Sequence, residues 1–232
     1  MAKAYLADMN RNETMKKVAI VDYGMCNLFS VNHACLSVGL DSVITSDREL
    51  LLGADAMIVP GVGAFGEAME NMRRLDLIGP IRDFIAAGKP FMGICLGMQL
   101  LFTESEEFGR HEGLDIIAGN VRRFKGSRVD HIKVPQIGWN QILPRENGLW
   151  GLSPLKDLTS GSYMYFVHSY YVVPSQEDEI LSYTWYHETE YASSIIRDNV
   201  LAVQFHPEKS GRKGMSIYRN WASSIEKCER KD

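Results

Sequence analysis

The sequence predicts an α/β fold with a mostly parallel central sheet flanked by helices. Two observations predict it. Through the first half of the chain, short apolar runs rich in β-branched residues alternate with segments of helical periodicity, which is typical of parallel strands joined by helices. After about residue 105, strand-like segments follow one another directly, which predicts additional antiparallel strands in the second half.

The first half contains four predicted strands and three predicted helices. The strands are expected at residues 18–22, 42–45, 56–59 and 90–94. Leu28, Val31 and Cys35 share one face of the first helix, which is expected to end at Gly39. The other two helices are expected near residues 65–75 and 77–87.

The second half is expected to be mostly strand. Strand-like segments occur at residues 113–124, 163–173, 180–186, 191–197 and 200–205. The segment 129–150 is interpreted as loop with short strands. A last helix is expected over residues 212–227, because its apolar residues recur with helical spacing.

The chain is expected to form one domain over residues 17–232. It contains no internal repeat and no low-complexity linker, and 232 residues suit a single α/β domain. Residues 1–16 show no periodicity and precede the apolar run of the first strand. They are therefore predicted to be a flexible extension outside the domain.

Composition excludes several classes of partner. The 25 basic and 29 acidic side chains are nearly balanced, so no electrostatic footprint for nucleic acid or an anionic membrane surface is expected. No apolar run approaches the roughly 20 residues that cross a bilayer. The 4 cysteines form no C-x-x-C pair and no zinc-finger spacing with histidine. Reduced thiols in the cytoplasm, without a bound metal, are the expectation.

Cys95 differs from Cys26, Cys35 and Cys228, which are interpreted as apolar fillers. It lies in GICLG at residues 93–97, the G-x-C-x-G form of a nucleophile elbow between a strand and a helix. The glycines admit a crowded turn, and the helix N-terminus favours the thiolate, which is the nucleophilic species. A buried structural cysteine is the alternative.

A histidine and a carboxylate follow the last predicted strand, in QFHPE at residues 204–208. A carboxylate at Glu208 that accepts from one imidazole nitrogen of His206 would leave the other nitrogen free as a base. Taken alone, the motif also suits a surface histidine in a turn.

The glycine-rich turn PGVG at residues 60–63 follows the third strand. Glycines let backbone amides turn toward a developing oxyanion. A plain strand-to-helix turn explains the motif equally well, and the sequence lacks the Gly-Lys-Ser/Thr ending of a phosphate-binding loop. Its position after a predicted strand favours the oxyanion interpretation, because the carboxyl ends of neighbouring parallel strands meet at one edge of the sheet.

Together these motifs resemble those of the class I (triad) glutamine amidotransferases. Within that family, the chain most closely resembles the glutaminase subunits of imidazole glycerol phosphate synthases. The resemblance extends from Val18 onward and rests on DYG at 22–24, PGVGAFGEAM at 60–69, GICLGMQLLF at 93–102, IGWN at 137–140, YFVHSYY at 165–171 and QFHPEKS at 204–210.

The resemblance implies a role for each matching residue. It implies Cys95 as nucleophile, His206 as general base and acid, and Glu208 as the residue that orients the histidine. The implied oxyanion and glutamine-binding residues are Gly61, Val62, Gly63, Leu96, Gln99, His168 and Ser169. The implied partner interface contains Trp139, Asn140, Tyr165 and Lys209.

The implied reaction hydrolyses glutamine through a cysteine thioester and needs no cofactor. The family delivers the ammonia to a (β/α)8-barrel synthase subunit in a heterodimer, where imidazole glycerol phosphate and aminoimidazole carboxamide ribotide form in histidine biosynthesis. The oxyanion segment is expected to stay non-productive until the partner binds its ligand.

Three alternatives remain open. Gln136 stands where the family usually has histidine, and Met25 and Cys26 precede Asn27 where the family commonly has small residues. A paralogous subunit that supplies ammonia for amidino sugars of surface polysaccharides is therefore a second candidate. A cysteine peptidase or γ-glutamyl hydrolase of related fold and a catalytically silent binding module are the others.

Overall fold

The computed structural model describes residues 15–25, 27–126, 133–146 and 148–228. The elements of the first half are β1 Lys17–Val21, α1 Leu28–Ser37, β2 Asp41–Thr45, α2 Arg48–Gly53, β3 Ala56–Gly61, α3 Phe65–Arg74, α4 Ile78–Ala86, β4 Phe91–Cys95 and α5 Leu96–Gln99. The later elements are β5 Phe102–Ser105, β6 His111–Glu112, β7 Ile117–Arg123, β8 Gln136–Pro144, β9 Ser162–His168, β10 Tyr170–Pro174, β11 Ile180–Tyr186, β12 Thr189–Arg197, β13 Val200–Val203 and α6 Gly211–Cys228.

A nine-stranded mixed sheet forms the centre of the molecule, in the order β2-β1-β3-β4-β13-β12-β11-β8-β9. The strands from β2 to β13 in this order pair in parallel, and those from β13 to β9 pair antiparallel. Strands β10, β7, β5 and β6 form a second sheet. The predicted α/β fold, with added antiparallel strands in the second half, is confirmed.

The central strands are apolar because both of their faces are covered. Every residue of β3 and β4 is buried. On one side, Val59 of β3 packs with Phe65 of α3 and Phe84 of α4 in one apolar cluster. On the other side, Ile58 joins α1 and α6 in a second cluster. Helices on both faces of the parallel half are therefore confirmed.

The prediction of only short strands within residues 129–150 is wrong, because β8 is a continuous strand of nine residues. Its alternation is inverted relative to a usual half-buried strand. Gln136 is buried, whereas Ile137 and Trp139 are 64% and 57% exposed. Because a polar residue lies on the inner face and apolar residues lie on the outer face, the sequence lacks the usual alternation that predicts a half-buried strand.

Two other expectations need correction. The predicted strand 163–173 is two strands, β9 and β10, that separate at Ser169 and enter different sheets. The predicted strand 113–124 begins only at Ile117. Sequence reasoning also missed α2, which Asp47 caps by accepting from the Leu50 amide at 2.9 Å, and β5.

Residues 1–14 lie outside the described part of the chain, so the predicted extension stays a prediction there. Lys16 was expected to belong to it, but its carbonyl accepts from the Asp41 amide at 3.0 Å beside β2. Of the three cysteines interpreted as fillers, Cys26 and the side chain of Cys228 lie outside the described residues, whereas Cys35 is fully buried. Within the described ranges, no helix has the length and apolar character to span a membrane.

Candidate active site

Cys95 occupies a strained backbone position at the end of β4. Its φ is 54° and its ψ is −109°, a region that side-chain-bearing residues rarely adopt. The turn is possible because its neighbours are glycines: a Cβ at Gly97 would overlap the carbonyl oxygen of Val59, and one at Gly93 would lie 2.9 Å from the Gly97 oxygen. The predicted elbow therefore has a steric basis, and Cys95 caps the N-terminus of the short helix α5.

The Cys95 side chain is nearly enclosed. Its residue is 4% exposed, and Sγ lies 3.8 Å from the carbonyl oxygen of Val167. The side-chain amide nitrogen of Gln204 lies 3.6 Å from Sγ and donates to it. The sulfur consequently has a hydrogen-bond donor beside it.

His206 and Glu208 reach the same edge of the sheet from β13. This strand pairs in parallel with β4, with Val203 opposite Ile94, so the two carboxyl ends lie side by side. The Nδ1 atom of His206 lies 2.8 Å from Oε1 of Glu208, and the side chains are 3% and 1% exposed. The Nε2 atom of His206 is buried and makes no hydrogen bond of ordinary geometry with any residue in the described part of the chain.

The charge state of His206 follows from its neighbours. Burial alone would lower the pKa of the imidazole, but the Cys95 sulfur, followed by the Glu208 carboxylate, outweighs burial and raises that pKa to about 10. At neutral pH the imidazole is therefore protonated, with the Cys95 sulfur and the Glu208 side chain as its neighbours. A thiolate beside an imidazolium is a nucleophile with a proton donor next to it.

A cavity of about 240 Å³ opens beside the sulfur. Its lining includes the predicted Val62, Gly63, Cys95, Leu96, Gln99, His168 and Ser169. Gly61 does not line it; a Cβ there would overlap the hydroxyl of Tyr23, which explains the glycine sterically. Sequence reasoning missed four lining residues, Glu107, Pro135, Val167 and Tyr170.

Gln99 and His168 are tied to the wall of the cavity. The Gln99 side-chain nitrogen donates to the Tyr170 carbonyl at 2.8 Å and to the Gln204 side-chain oxygen at 3.1 Å. Nδ1 of His168 also contacts the Tyr170 carbonyl at 2.8 Å. Burial lowers the pKa of His168 to about 4, so the ring is neutral and Nδ1 carries the proton that is donated.

Gln136, which stands where the family usually has histidine, lies close to His168. Tyr191 donates to the side-chain oxygen of Gln136 at 3.0 Å, and its hydroxyl lies 3.4 Å from Nε2 of His168. Gln136 and His168 are also opposite each other in the pairing of β8 with β9. Glutamine at this position therefore serves as a buried acceptor.

The glycine-rich turn holds one amide away from the cavity. The Val62 N–H donates to the Met25 carbonyl at 3.0 Å. Gly63 has a φ of 108°, and a Cβ there would lie 2.5 Å from Cε of Met25. In this conformation the Val62 amide is occupied and cannot donate to an oxyanion.

Glu107 lines the cavity, although sequence reasoning did not predict it as a site residue. It is 8% exposed, and its Oε2 accepts from the Phe65 amide at 2.6 Å. Burial raises the pKa of this carboxyl. The run TESEEF at 103–108 has the appearance of a solvated acidic turn, and only its closeness to the elbow could have indicated a wall residue.

Of the predicted interface residues, Trp139 and Tyr165 are paired on the outer face of β8 and β9, whereas Asn140 is paired with the buried Met164. The rings of Trp139 and Tyr165 are 6.1 Å apart. The Asn140 side chain donates to the Trp185 carbonyl at 2.8 Å. Lys209 is exposed in the short turn that carries Glu208. That turn is fastened to β9, since the His206 amide donates to the Tyr165 carbonyl at 2.9 Å.

Comparison with known proteins agrees with this geometry. The family described as glutamine amidotransferase class-I matches residues 19–224. The chain belongs to this family. This class I amidotransferase is similar to proteins named imidazole glycerol phosphate synthase subunit HisH. It is 46% identical to the HisH of Aquifex aeolicus and 42% identical to that of Geobacter metallireducens. The alignments cover 91% and 90% of this chain and 98% and 99% of those proteins.

Solved structures confirm the fold of this amidotransferase. A glutamine amidotransferase matches with a TM-score of 0.67 at 18% identity, covering 90% of this chain and 98% of that one. PurLQS from Thermotoga maritima matches with a TM-score of 0.69 at 16% identity, covering 91% and 100%. The prediction of a glutamine amidotransferase is confirmed. The amidino-sugar alternative is not favoured, because the relatives at 42–46% identity are named as synthase subunits.

Proposed function

We propose that this amidotransferase is the glutaminase subunit of an imidazole glycerol phosphate synthase, with Cys95, His206 and Glu208 as its catalytic triad. The observation that carries the proposal is the buried 2.8 Å contact between His206 and Glu208 at the strand end beside Cys95. The names of the HisH relatives support the choice of synthase.

Hydrolysis begins when the Cys95 thiolate attacks the side-chain carboxamide carbon of glutamine. The C–N bond breaks as protonated His206 gives its proton to the departing ammonia, leaving a γ-glutamyl thioester. Neutral His206 then removes a proton from water, and the resulting hydroxide releases glutamate. Glu208 keeps Nδ1 as the protonated nitrogen throughout, so that Nε2 exchanges the proton.

The cavity wall suits an amino acid substrate. Glu107 offers a carboxylate to the α-ammonium group of glutamine, because opposite charges pair best where water is excluded. Ser169, at the break between β9 and β10, and the neutral His168 add polar groups to the same wall. Gln99 supports the wall through Tyr170.

The oxyanion site is incomplete in the described conformation. The Leu96 amide lies at the first residue of α5, beside the nucleophile, and supplies one donor. The Val62 amide would supply the second only after it leaves the Met25 carbonyl, to which it is bound at 3.0 Å. The glycines at 61 and 63 permit such a rotation. Partner binding favours the rotated state and thereby activates hydrolysis.

The partner is a synthase subunit of (β/α)8-barrel type that docks on the outer face of β8 and β9. Ile137 and Trp139 expose apolar surface there, and Asn140, Tyr165 and Lys209 border it. Val167 links this face to the cavity, since it lines the cavity while its strand carries Tyr165. Ammonia released at Cys95 passes to the barrel, where imidazole glycerol phosphate and aminoimidazole carboxamide ribotide form.

Residues 1–16 are not needed for this chemistry. The family match begins at residue 19, and nine-tenths of the chain covers 98–99% of the HisH relatives of Aquifex aeolicus and Geobacter metallireducens, which supports an extension outside the shared domain. A chain without residues 1–14 that lost glutaminase activity would contradict this.

The test is to combine the chain with its barrel subunit and supply glutamine and the phosphorylated ribulosyl–imidazole nucleotide. We expect glutamate and imidazole glycerol phosphate to form in equal amounts. Cys95→Ala should abolish both with glutamine but leave synthesis intact with an ammonium salt. Synthesis from glutamine by Cys95→Ala would overturn the proposal.

A further inference from the structure

Tyr218 lies directly behind the turn that carries Glu208. It is fully buried on α6. Gly214, one turn earlier on the same face of α6, touches the turn so closely that a Cβ there would overlap the Pro207 carbonyl oxygen. Residues four apart on a helix share a face, so Tyr218 points toward the same segment.

Two buried polar atoms in this region have no hydrogen-bond partner among residues 15–25, 27–126, 133–146 and 148–228. They are the hydroxyl oxygen of Tyr218 and Oε2 of Glu208. The other carboxylate oxygen, Oε1, is paired with His206. A buried polar atom without a partner destabilises the folded state, and native proteins satisfy nearly all such atoms. A phenol O–H and a carboxylate oxygen are complementary as donor and acceptor.

The two groups also interact electrostatically. Burial, then the charge of Glu208 and then that of Cys35, raise the pKa of Tyr218. The titratable groups that face Tyr218 are therefore Glu208 from the turn and Cys35 from α1. Tyr218 is a neutral donor at every pH at which the enzyme works.

We propose that Tyr218 is a positioning residue, whose hydroxyl is linked to Oε2 of Glu208 through one buried water and so fixes the carboxylate that orients His206. The inference rests on the proposed triad. The phenol holds the far side of the carboxylate, while His206 holds the near side. Without it, the carboxylate is free to rotate, and the imidazole loses the orientation that proton transfer needs.

Tyr218→Phe tests the proposal because it removes only the hydroxyl. In glutamine hydrolysis by the full chain, we expect kcat to fall about tenfold, the equivalent of one charge-assisted hydrogen bond, with KM unchanged. Ile217→Val is the matched control, since it trims a neighbouring buried side chain of α6 that carries no polar atom. It should leave kcat unchanged.

A double-mutant cycle on stability separates this proposal from the proposed function. In wild type, Tyr218→Phe should lower the midpoint of denaturant unfolding, whereas in a Glu208→Ala background it should not. Ile217→Val should lower the midpoint equally in both. Equal effects of Tyr218→Phe in the two backgrounds, or an unchanged kcat, would overturn the pairing. Wild type that hydrolyses no glutamine even with its barrel subunit and the nucleotide present, while the stability coupling persists, would instead overturn the proposed triad.

Discussion

The Val62 amide donates to the Met25 carbonyl at 3.0 Å, so in this conformation it is not free to act as the second donor of the proposed oxyanion site. Met25 also places its Cε 2.5 Å from the position of a Cβ on Gly63. Both the backbone and the side chain of Met25 therefore hold the glycine-rich turn in place. Met25, one of the residues that depart from the family's commonest sequence, thus contacts both Val62 and Gly63.

Met25→Ala should raise the glutaminase rate of the isolated chain severalfold. Truncation removes the side chain that covers Gly63, so the turn rotates more readily into the state in which Val62 faces the cavity. Glutamate release without a partner measures the effect. Met15→Ala, at a residue that is 63% exposed, is the control and should not change the rate. A basal rate for Met25→Ala at or below that of wild type would contradict this role.

His168 should make the fold sensitive to acid. Burial lowers its pKa to about 4 from a usual value of 6.5, so the unfolded state binds the proton first as pH falls. Stability attributable to the neutral ring is present above pH 6.5 and is lost as pH falls toward 4. This loss amounts to about 3 kcal/mol.

Urea unfolding between pH 7 and pH 4 checks this prediction. His168→Gln should flatten the decline relative to wild type, because glutamine has no proton to gain. A parallel decline in the two proteins would show that the neutral imidazole does not contribute.

Gly97→Ala should disable the elbow. The added Cβ would overlap the Val59 carbonyl oxygen of the adjacent strand, and β3 cannot move without disturbing the sheet. We expect a loss of about 3 kcal/mol in the free energy of unfolding and no glutamine hydrolysis. Gly53→Ala, where nothing lies within 4 Å of the new Cβ, should change neither. Full activity of Gly97→Ala would mean that the turn is not sterically required.

Trp139→Ala should weaken binding of the barrel subunit about 30-fold, because an exposed aromatic residue at the centre of an interface contributes about 2 kcal/mol. Titration calorimetry with the barrel subunit measures the change. Leu152→Ala is the control, because Leu152 is 86% exposed but lies in a groove with Gly88 and Pro90, at the other end of β4 from Cys95. Equal affinities for wild type and Trp139→Ala would remove this face from the interface.

The parallel half and the nucleophile elbow could be predicted because their signals are local. The runs before Cys95 and His206 are buried strands, and β4 and β13 pair in parallel beside each other, which brings distant residues to one edge of the sheet. Periodicity and glycine spacing are sufficient for such elements.

The remaining features depend on contacts between segments far apart in the chain. Gln136 is accommodated on the inner face of β8 because it accepts from Tyr191, and no local pattern indicates that bond. Glu107 becomes a cavity residue only through its bond to the Phe65 amide. The contacts of Met25 with Val62 and Gly63 and the burial of Tyr218 likewise depend on segments that are far apart in the chain.

The nucleophile assignment is tested most directly by mass spectrometry after treatment with a diazo-ketone analogue of glutamine. We expect a single adduct on the peptide that contains Cys95, with none on the buried Cys35 and none in Cys95→Ala. We expect slower labelling in His206→Asn, because its thiol lacks the imidazolium. An unlabelled Cys95, or an adduct that forms equally well elsewhere in Cys95→Ala, would contradict the account.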